Sequence, residues 1–233
     1  MKRTNTLAFD SRHYKYSGSY SDYFWEDTLA DFLESSNEIE VTKKVFISKV
    51  LPMLKELMTE DLRWLEVGCG DFTKTMKFLE SYNVILKNRP ANFDIVEPSD
   101  IWRQGLQSIE PYQSKELFTE THIYPKKLED WTEAVELPTY DLVTIIQVLY
   151  NPAVIDGFFH LLERTIAAKQ KTIFFLSVES IGSDLNKIRK DLAQGGFLKY
   201  ARSSYAHITK RLKAYPLAEP IITTNTNGKS LRV

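Results

Sequence analysis

Residues 62 to 67, LRWLEV, and 140 to 147, YDLVTIIQ, are apolar runs of strand length, and similar runs recur as NFDIVE (92 to 97), THIYP (121 to 125) and KTIFFLSV (171 to 178). Between them, at 72 to 82, 100 to 108, 153 to 168 and 184 to 194, apolar residues repeat every three or four positions, which predicts amphipathic helices. Ser99 and Ser183 stand as N-caps of the second and fourth. Two helical segments precede the first strand. SDYFWEDTLADFLES (21 to 35) gathers Phe24, Leu29, Phe32 and Leu33 on one broad face, and EVTKKVFISKVLPMLKELM (40 to 58) continues until Pro52 bends or breaks it. Alternating strand and helix predicts right-handed crossovers and a doubly wound, mainly parallel sheet covered on both faces. The last segment, EPIITTNTNGKSLRV, puts Asn227-Gly228 between two short runs, the pattern of an antiparallel hairpin. That hairpin closes one sheet edge and brings the predicted sheet to seven strands.

Composition narrows the function classes. With 43% hydrophobic and 26% charged residues the chain has ordinary globular composition. A net charge of -1 gives no electrostatic footprint for a polyanion, so neither nucleic acid nor anionic membrane is expected as a partner. No signal-peptide core or membrane-length run is present, and a cytoplasmic location is expected. Cys69 is the sole cysteine, which excludes an intramolecular disulfide, and His13, His122, His160 and His207 lack metal-ligand spacing. No metal is expected. One structural domain is expected, with an N-terminal part (1 to 59) and a ligand-binding core (60 to 233).

The candidate chemistry centres on LEVGCGDF, residues 65 to 72. Gly68 and Gly70 fall where the first strand turns into a helix, and glycine there permits positive φ and close approach of a ligand. A dinucleotide would set its pyrophosphate on the helix N-terminus and calls for a third glycine where Thr73 stands, and Asp71 would repel the phosphate. S-adenosyl-L-methionine carries no phosphate and two positive centres, which Glu66 and Asp71 suit. A tight structural turn without ligand is the competing reading. In FDIVEPSD the second strand ends at Glu97, placed to accept both ribose hydroxyls of an adenosine, or simply to be solvated; Pro98 then stops the strand and Ser99 starts a helix. KLEDW (127 to 131) either lines the adenine through Leu128 or is a surface loop.

LEVGCGDF, FDIVEPSD and YDLVTIIQVLYN together resemble class I S-adenosylmethionine-dependent methyltransferases, with their Rossmann-like fold, and among them the histamine N-methyltransferase-like group. The likeness spans roughly residues 20 to 215, and Glu-Pro-Ser with Ile-Gln-x-Leu-Tyr are its most specific pieces. It implies cofactor contacts from Gly68, Gly70, Glu97, Pro98, Ser99, Ile146 and Gln147. It also implies an acceptor site built from Gln147, Tyr150 and a glutamate of the N-terminal segment, Glu38 or Glu40. Gln147 and Glu38 are the residues implied for catalysis. The chain departs from the group at three places: one extra residue before Leu51-Pro52, Phe72 in place of a loop glycine, and Trp102 in place of a polar residue.

Methyl transfer from a sulfonium is an in-line displacement, so alignment and exclusion of water are the main tasks. The Gln147 amide, both donor and acceptor, suits a nitrogen heterocycle or an amine, and Glu38 suits a cationic one. YKYSGSYSDYFW (14 to 25) reads as a lid in which Tyr16 and Tyr20 cover the substrate, or as aromatic packing at the sheet edge. Cys69 reads as a packing residue. The function expected is N-methylation of a small-molecule methyl acceptor. An O-methyltransferase of a natural product and a non-catalytic cofactor-binding or scaffold protein are the alternatives.

Overall fold

The main sheet has five parallel strands: β1 (Leu62–Val67), β2 (Ala91–Val96), β3 (Phe118–Tyr124), β4 (Leu142–Ile146) and β5 (Ile173–Ser177). The structure is a computed structural model. It describes residues 38–57, 62–70, 72, 75, 80, 91–99, 118–133, 136–149, 152–178, 207–217, 223–226 and 229–232. The spatial order is β3-β2-β1-β4-β5, so the chain reverses its direction across the sheet between β3 and β4. The loops leaving β1 and β4 therefore flank the crevice in which such sheets take ligands. The predicted helices at 21 to 35, 100 to 108 and 184 to 194, most of that at 72 to 82, and Trp102 lie outside the described residues.

Strand alternation divides the side chains between two apolar layers, as a parallel sheet buried on both faces requires. Leu62, Trp64, Phe93, Ile95, Leu142 and Phe175 fill one; Leu65, Val67, Val96, Val143 and Ile145 belong to the other. Over the first layer runs one helical segment: α1 (Glu38–Val45), a π-turn (Phe46–Val50) and α2 (Leu51–Leu57). The Leu51 N–H donates to Phe46 O, five residues back, so the helix holds one residue more than an α-helix would. Pro52 neither breaks nor ends the segment. Packing explains why: Phe46 stacks on Trp64 at 5.8 Å and meets Phe175 edge-on at 5.6 Å. The chain divides into two compact units, Met1–Asn37 and Glu38–Val233, so residues 38–57, expected with the N-terminal part, pack as core of the second.

The second layer is covered by α3 (Leu128–Thr132), α4 (Pro152–Ala167) and helical residues 207–212. α4 buries Ile155, Phe158, Phe159 and Leu162, one face at helical spacing. Its end is closed by Lys169 at φ +55, with Lys169 N–H on Ile166 O at 2.9 Å and Gln170 N–H on Thr165 O at 3.3 Å, which satisfies carbonyls of the last turn. Strands β6 (Thr223–Thr226) and β7 (Lys229–Arg232) pair antiparallel with each other and form a separate two-stranded sheet. Among the described residues the main sheet is thus five-stranded, not seven. TTNT and KSLR offer one apolar residue between them, so there is little for the main sheet to bury. Asn227 and Gly228 lie outside the described residues.

On the second face, Asp94 of β2 is 3% exposed and would be a costly charge without partners. The Tyr140 hydroxyl donates to its Oδ2 at 2.5 Å, and His122 Nδ1 lies 3.0 Å from its Oδ1. The other ring nitrogen of His122 lies 3.0 Å from Glu120 Oε1. Burial and the bond to Asp94 push the Tyr140 hydroxyl far above its ordinary range. The Asp94 bond also raises His122 above its ordinary 6.5, against the smaller opposing effect of burial. A raised folded-state value means that protonated His122 stabilises the fold fully below the unfolded value, and that this contribution is lost as pH rises through the folded one. We expect the difference in urea midpoint between wild type and His122→Gln to shrink from about pH 6 to about pH 8, modestly because the ring is half-exposed. A pH-independent difference would show that His122 titrates identically in both states.

Candidate functional site

The turn after β1 alternates left-handed residues: Gly68 at φ +65, Gly70 at φ +60 and Phe72 at φ +68. Gly68 has two reasons to be glycine. Its φ disfavours a side chain, and a Cβ there would lie 2.5 Å from Val148 Cγ2 in the loop after β4. Phe72 takes a left-handed conformation that glycine ordinarily serves. The left-handed backbone costs it roughly 1–2 kcal/mol, and burying the ring stabilises by about 1.5–3 kcal/mol. The ring is fully buried and meets Phe93 edge-on at 5.8 Å, and the Phe72 N–H closes the turn on Cys69 O at 3.1 Å. Cys69 is buried in the same layer, as a packing residue would be.

Glu97 follows β2 and ties this turn to its neighbour. Its carboxylate is 5% exposed; Oε2 accepts the Gly70 N–H at 3.1 Å and Oε1 the Ser99 N–H at 2.9 Å. Further backbone bonds lace the strand tips: Gly68 N–H to Val96 O at 2.9 Å and Glu97 N–H to Tyr124 O at 3.2 Å. Gln147, just past β4, adopts φ +61, uncommon for a residue with a side chain. Its N–H donates to Ser177 O at 2.9 Å and its amide Nε2 to Ser177 Oγ at 3.3 Å, which joins β4 to β5.

Gly68, Gly70, Glu97, Pro98, Ser99, Ile146 and Gln147 thus sit together at the carboxyl edge of the sheet, Pro98 exposed and Ile146 buried in the first layer. Glu66 lies one step inside. It is 2% exposed, and its oxygens accept the Thr75 hydroxyl at 3.0 Å and the Thr144 hydroxyl, which in turn accepts the Trp64 indole N–H at 2.7 Å. This carboxylate cross-braces β1, β4 and the segment after the glycine turn. Leu128 opens α3 and packs in the second layer against α4, where a Cβ on Gly157 would come 3.1 Å from Leu128 Cγ; KLEDW is therefore helical, not a loop. Glu38 is the first residue of α1, and Glu40 in the same helix is exposed. Tyr16, Tyr20, Tyr150 and the Glu38 side chain lie outside the described residues.

Sequence reading missed Thr144, Ser177 and Val148. A hydroxyl inside the apolar run LVTII is the one local signal for Thr144; its partner lies 78 residues away in sequence. Ser177 and Val148 carry no local signal. Among the described residues, no group of His, Cys, Asp and Glu could hold a metal ion, and no helix is long and apolar enough to cross a membrane.

No known family's sequence model and no curated protein sequence matches the chain. Solved structures do. A CurJ carbon methyltransferase superposes with a TM-score of 0.53 at 14% identity, over 79% of this chain and 50% of that one. The plantazolicin methyltransferase BpumL, in complex with a triazolic desmethylPZN analog and SAH, superposes with a TM-score of 0.54 at 11% identity, over 84% of this chain and 70% of that one. A DszA carbon methyltransferase gives 0.50 at 16% identity, over 74% and 44%. The chain therefore spans half the length of the first of these, and what it shares with them is the class I methyltransferase fold.

The glycine turn yields a stability test. Gly68→Ala is expected to destabilise by about 2–4 kcal/mol, from left-handed strain plus the clash with Val148. Adding Val148→Ala should recover only the clash component. A denaturation cycle showing strict additivity of the two would place the whole cost in the backbone.

Proposed function

We propose that the chain is an S-adenosyl-L-methionine-dependent methyltransferase of a small molecule, transferring the methyl group to nitrogen of an amine or heterocycle, as in the histamine N-methyltransferase-like group it resembles. The observation that carries the cofactor reading is Glu97. It is a buried carboxylate held by the Gly70 and Ser99 amides at the carboxyl edge, fixed beside a turn that lacks side chains at Gly68 and Gly70. Each carboxylate oxygen has more than one acceptor direction, so hydrogen bonding to two amides is compatible with taking ribose hydroxyls as well. The chemistry fits a ligand with positive centres and no phosphate. SAH named with BpumL, and the methyltransferase activity named for CurJ and DszA, support the same reading.

When bound, the cofactor supplies an electrophilic methyl group on a sulfonium. The chain's own residues then have binding and alignment to perform. In this reading Gly68 and Gly70 let backbone approach the ligand, Glu97 takes the ribose, and Pro98, Ser99 and Ile146 border the adenosine. Gln147 orients the acceptor by its amide, and Glu38 balances positive charge on it. Tyr16, Tyr20 and Tyr150 stay as the sequence's candidates for covering the acceptor. An alkyl ammonium must lose its proton before attack, whereas a neutral aromatic nitrogen need not. The proposed setting is the cytoplasm.

Calorimetry with S-adenosylhomocysteine and with NAD tests the cofactor class, and a methyl-transfer screen over nitrogen, oxygen and carbon acceptors tests the reaction. Binding of S-adenosylhomocysteine without turnover of any acceptor would leave a cofactor-binding protein. Glu97→Ala is expected to weaken S-adenosylhomocysteine by about 1.5–3 kcal/mol, the scale of hydrogen bonds to a charged group. It should also lower thermal stability, because the Gly70 and Ser99 amides lose their acceptor. Loss of stability with an unchanged dissociation constant would confine Glu97 to a structural role.

A further inference from the structure

We infer that β3 pairs edge to edge with β3 of a second copy of the chain, antiparallel about a twofold axis at Thr121, so that Glu120 of each copy faces His122 of the other. Three observations converge on this strand. β3 ends the sheet order β3-β2-β1-β4-β5, and among the described residues nothing pairs with its outer side. An edge strand turns the N–H and C=O of every second residue outward, a template for a further strand. Its side chains are open to solvent on both faces, with Glu120 at 62%, His122 at 48% and Ile123 at 42% exposure. The two charged ones have opposite signs and stand two residues apart, on the face of the sheet that carries Asp94, the register mate of His122.

Charge fixes both the occupant and the register. In an antiparallel pair, directly opposed residues share a face, so a β3 paired with its own copy must set the axis at a residue. An axis at Glu120 opposes two carboxylates and an axis at His122 opposes two imidazoliums, and like charges directly opposite are destabilising. Of the three axes within this stretch, the one at Thr121 sets Glu120 against His122 twice. Within one chain His122 Nδ1 lies 3.0 Å from Asp94 Oδ1 and its Nε2 lies 3.0 Å from Glu120 Oε1, so one imidazolium serves two carboxylates. In the pair each Glu120 stands between its own His122 and that of the second copy. The other groups around the ring are the Tyr140 hydroxyl on Asp94, the Arg63 guanidinium 5.9 Å over the Tyr140 ring, and the Tyr124 ring at 6.4 Å from His122. The bond to Asp94 raises His122 above its ordinary 6.5, so the pairing is strongest below the raised value and weakens as pH rises through it.

A seven-residue strand edge buries less than the about 1,200–2,000 Å² of a standard stable interface, so the association is weak and depends on concentration. Sedimentation velocity on the full chain, from micromolar to millimolar concentration, measures it. A monomer–dimer equilibrium is expected at about pH 6, with Kd rising about tenfold by about pH 8.5, the scale of two cross-strand charge pairs. Glu120→Lys, which opposes cations at both positions, should be monomeric at about pH 6 with an unchanged circular dichroism spectrum, since the side chain it replaces is exposed. Cross-linking reads the register. Glu120→Cys mixed with His122→Cys should form an intermolecular disulfide under mild oxidation, because the mixed dimer keeps one Glu120–His122 pair; either variant alone should form far less, and the native Cys69 is buried. A chain that stays monomeric at millimolar concentration and about pH 6 overturns the inference, and β3 amides then protected from hydrogen exchange would give the edge to another segment of the same chain. A dimer insensitive to Glu120→Lys overturns this surface, and Glu120→Cys that cross-links to itself as readily as to His122→Cys overturns this register. These readouts involve neither cofactor nor acceptor, so they stand or fall apart from the methyltransferase reading.

Discussion

Covering both faces of a parallel sheet is the constraint from which the rest of this molecule follows. Once apolar layers close over β1 to β5, a polar side chain within a strand has to find its partners inside the protein. Glu66 does so with Thr75 and Thr144, and Asp94 with Tyr140 and His122. A carboxylate can serve a ligand only where the strands end. Glu66 and Glu97 illustrate the difference: both are almost fully buried, but one braces adjacent strands from within while the other stands where β2 gives way to a loop. Position along the strand, more than burial, separates a structural acid from a candidate binding acid.

The carboxyl edge is also where the backbone leaves its ordinary conformations. Gly68, Gly70, Phe72 and Gln147 all take positive φ, and each is tied by a hydrogen bond to a neighbouring tip or by packing beneath it. Strain of this kind persists only where the surroundings over-determine it. Here the two layers supply that determination: Phe72 is anchored through the first layer, and Gly68 is pressed against Val148. The tips of β1, β2 and β3 are joined in series and those of β4 and β5 as a pair, with Gly68 and Val148 in contact between the two groups. Displacement of any one tip is resisted by its neighbours.

How much of this was legible in the sequence depends on the range of the interaction. LRWLEV gives its strand to the residue, because every position of β1 is at least half-buried and the apolar run is continuous. β3 begins at Phe118, three residues before the predicted THIYP, because as an edge strand it exposes Glu120, His122 and Ile123, and its pattern reads as polar. The glycine turn and the end of β2 at Glu97 were legible because tight turns and strand ends leave local marks. Thr144, Val148 and Ser177 were not, since their significance lies in a partner on another strand. Phe72 was opposed by its own propensity: nothing local marks a buried aromatic ring in a glycine conformation. Among the described residues the hairpin assigned to the sheet edge pairs only with itself, and its two strands are short and polar.

The π-turn at Phe46–Val50 has a consequence for how this scaffold can change. An α-helix advances by about 100° of rotation and 1.5 Å per residue. A helix that has accommodated one extra residue in a wide turn is therefore a dial with a second setting. Below the turn, Leu51 and Leu54 are locked into the sheet's apolar layer. Above it, Glu38 and the rest of α1 hang on the other side of the inserted residue. Rewinding the turn as regular α-helix with the same residues would rotate that end by about 100° and advance it about 1.5 Å, while the anchored half stayed in place. A lineage could in this way change which side chains α1 turns toward the sheet without substituting a residue of β1 to β5.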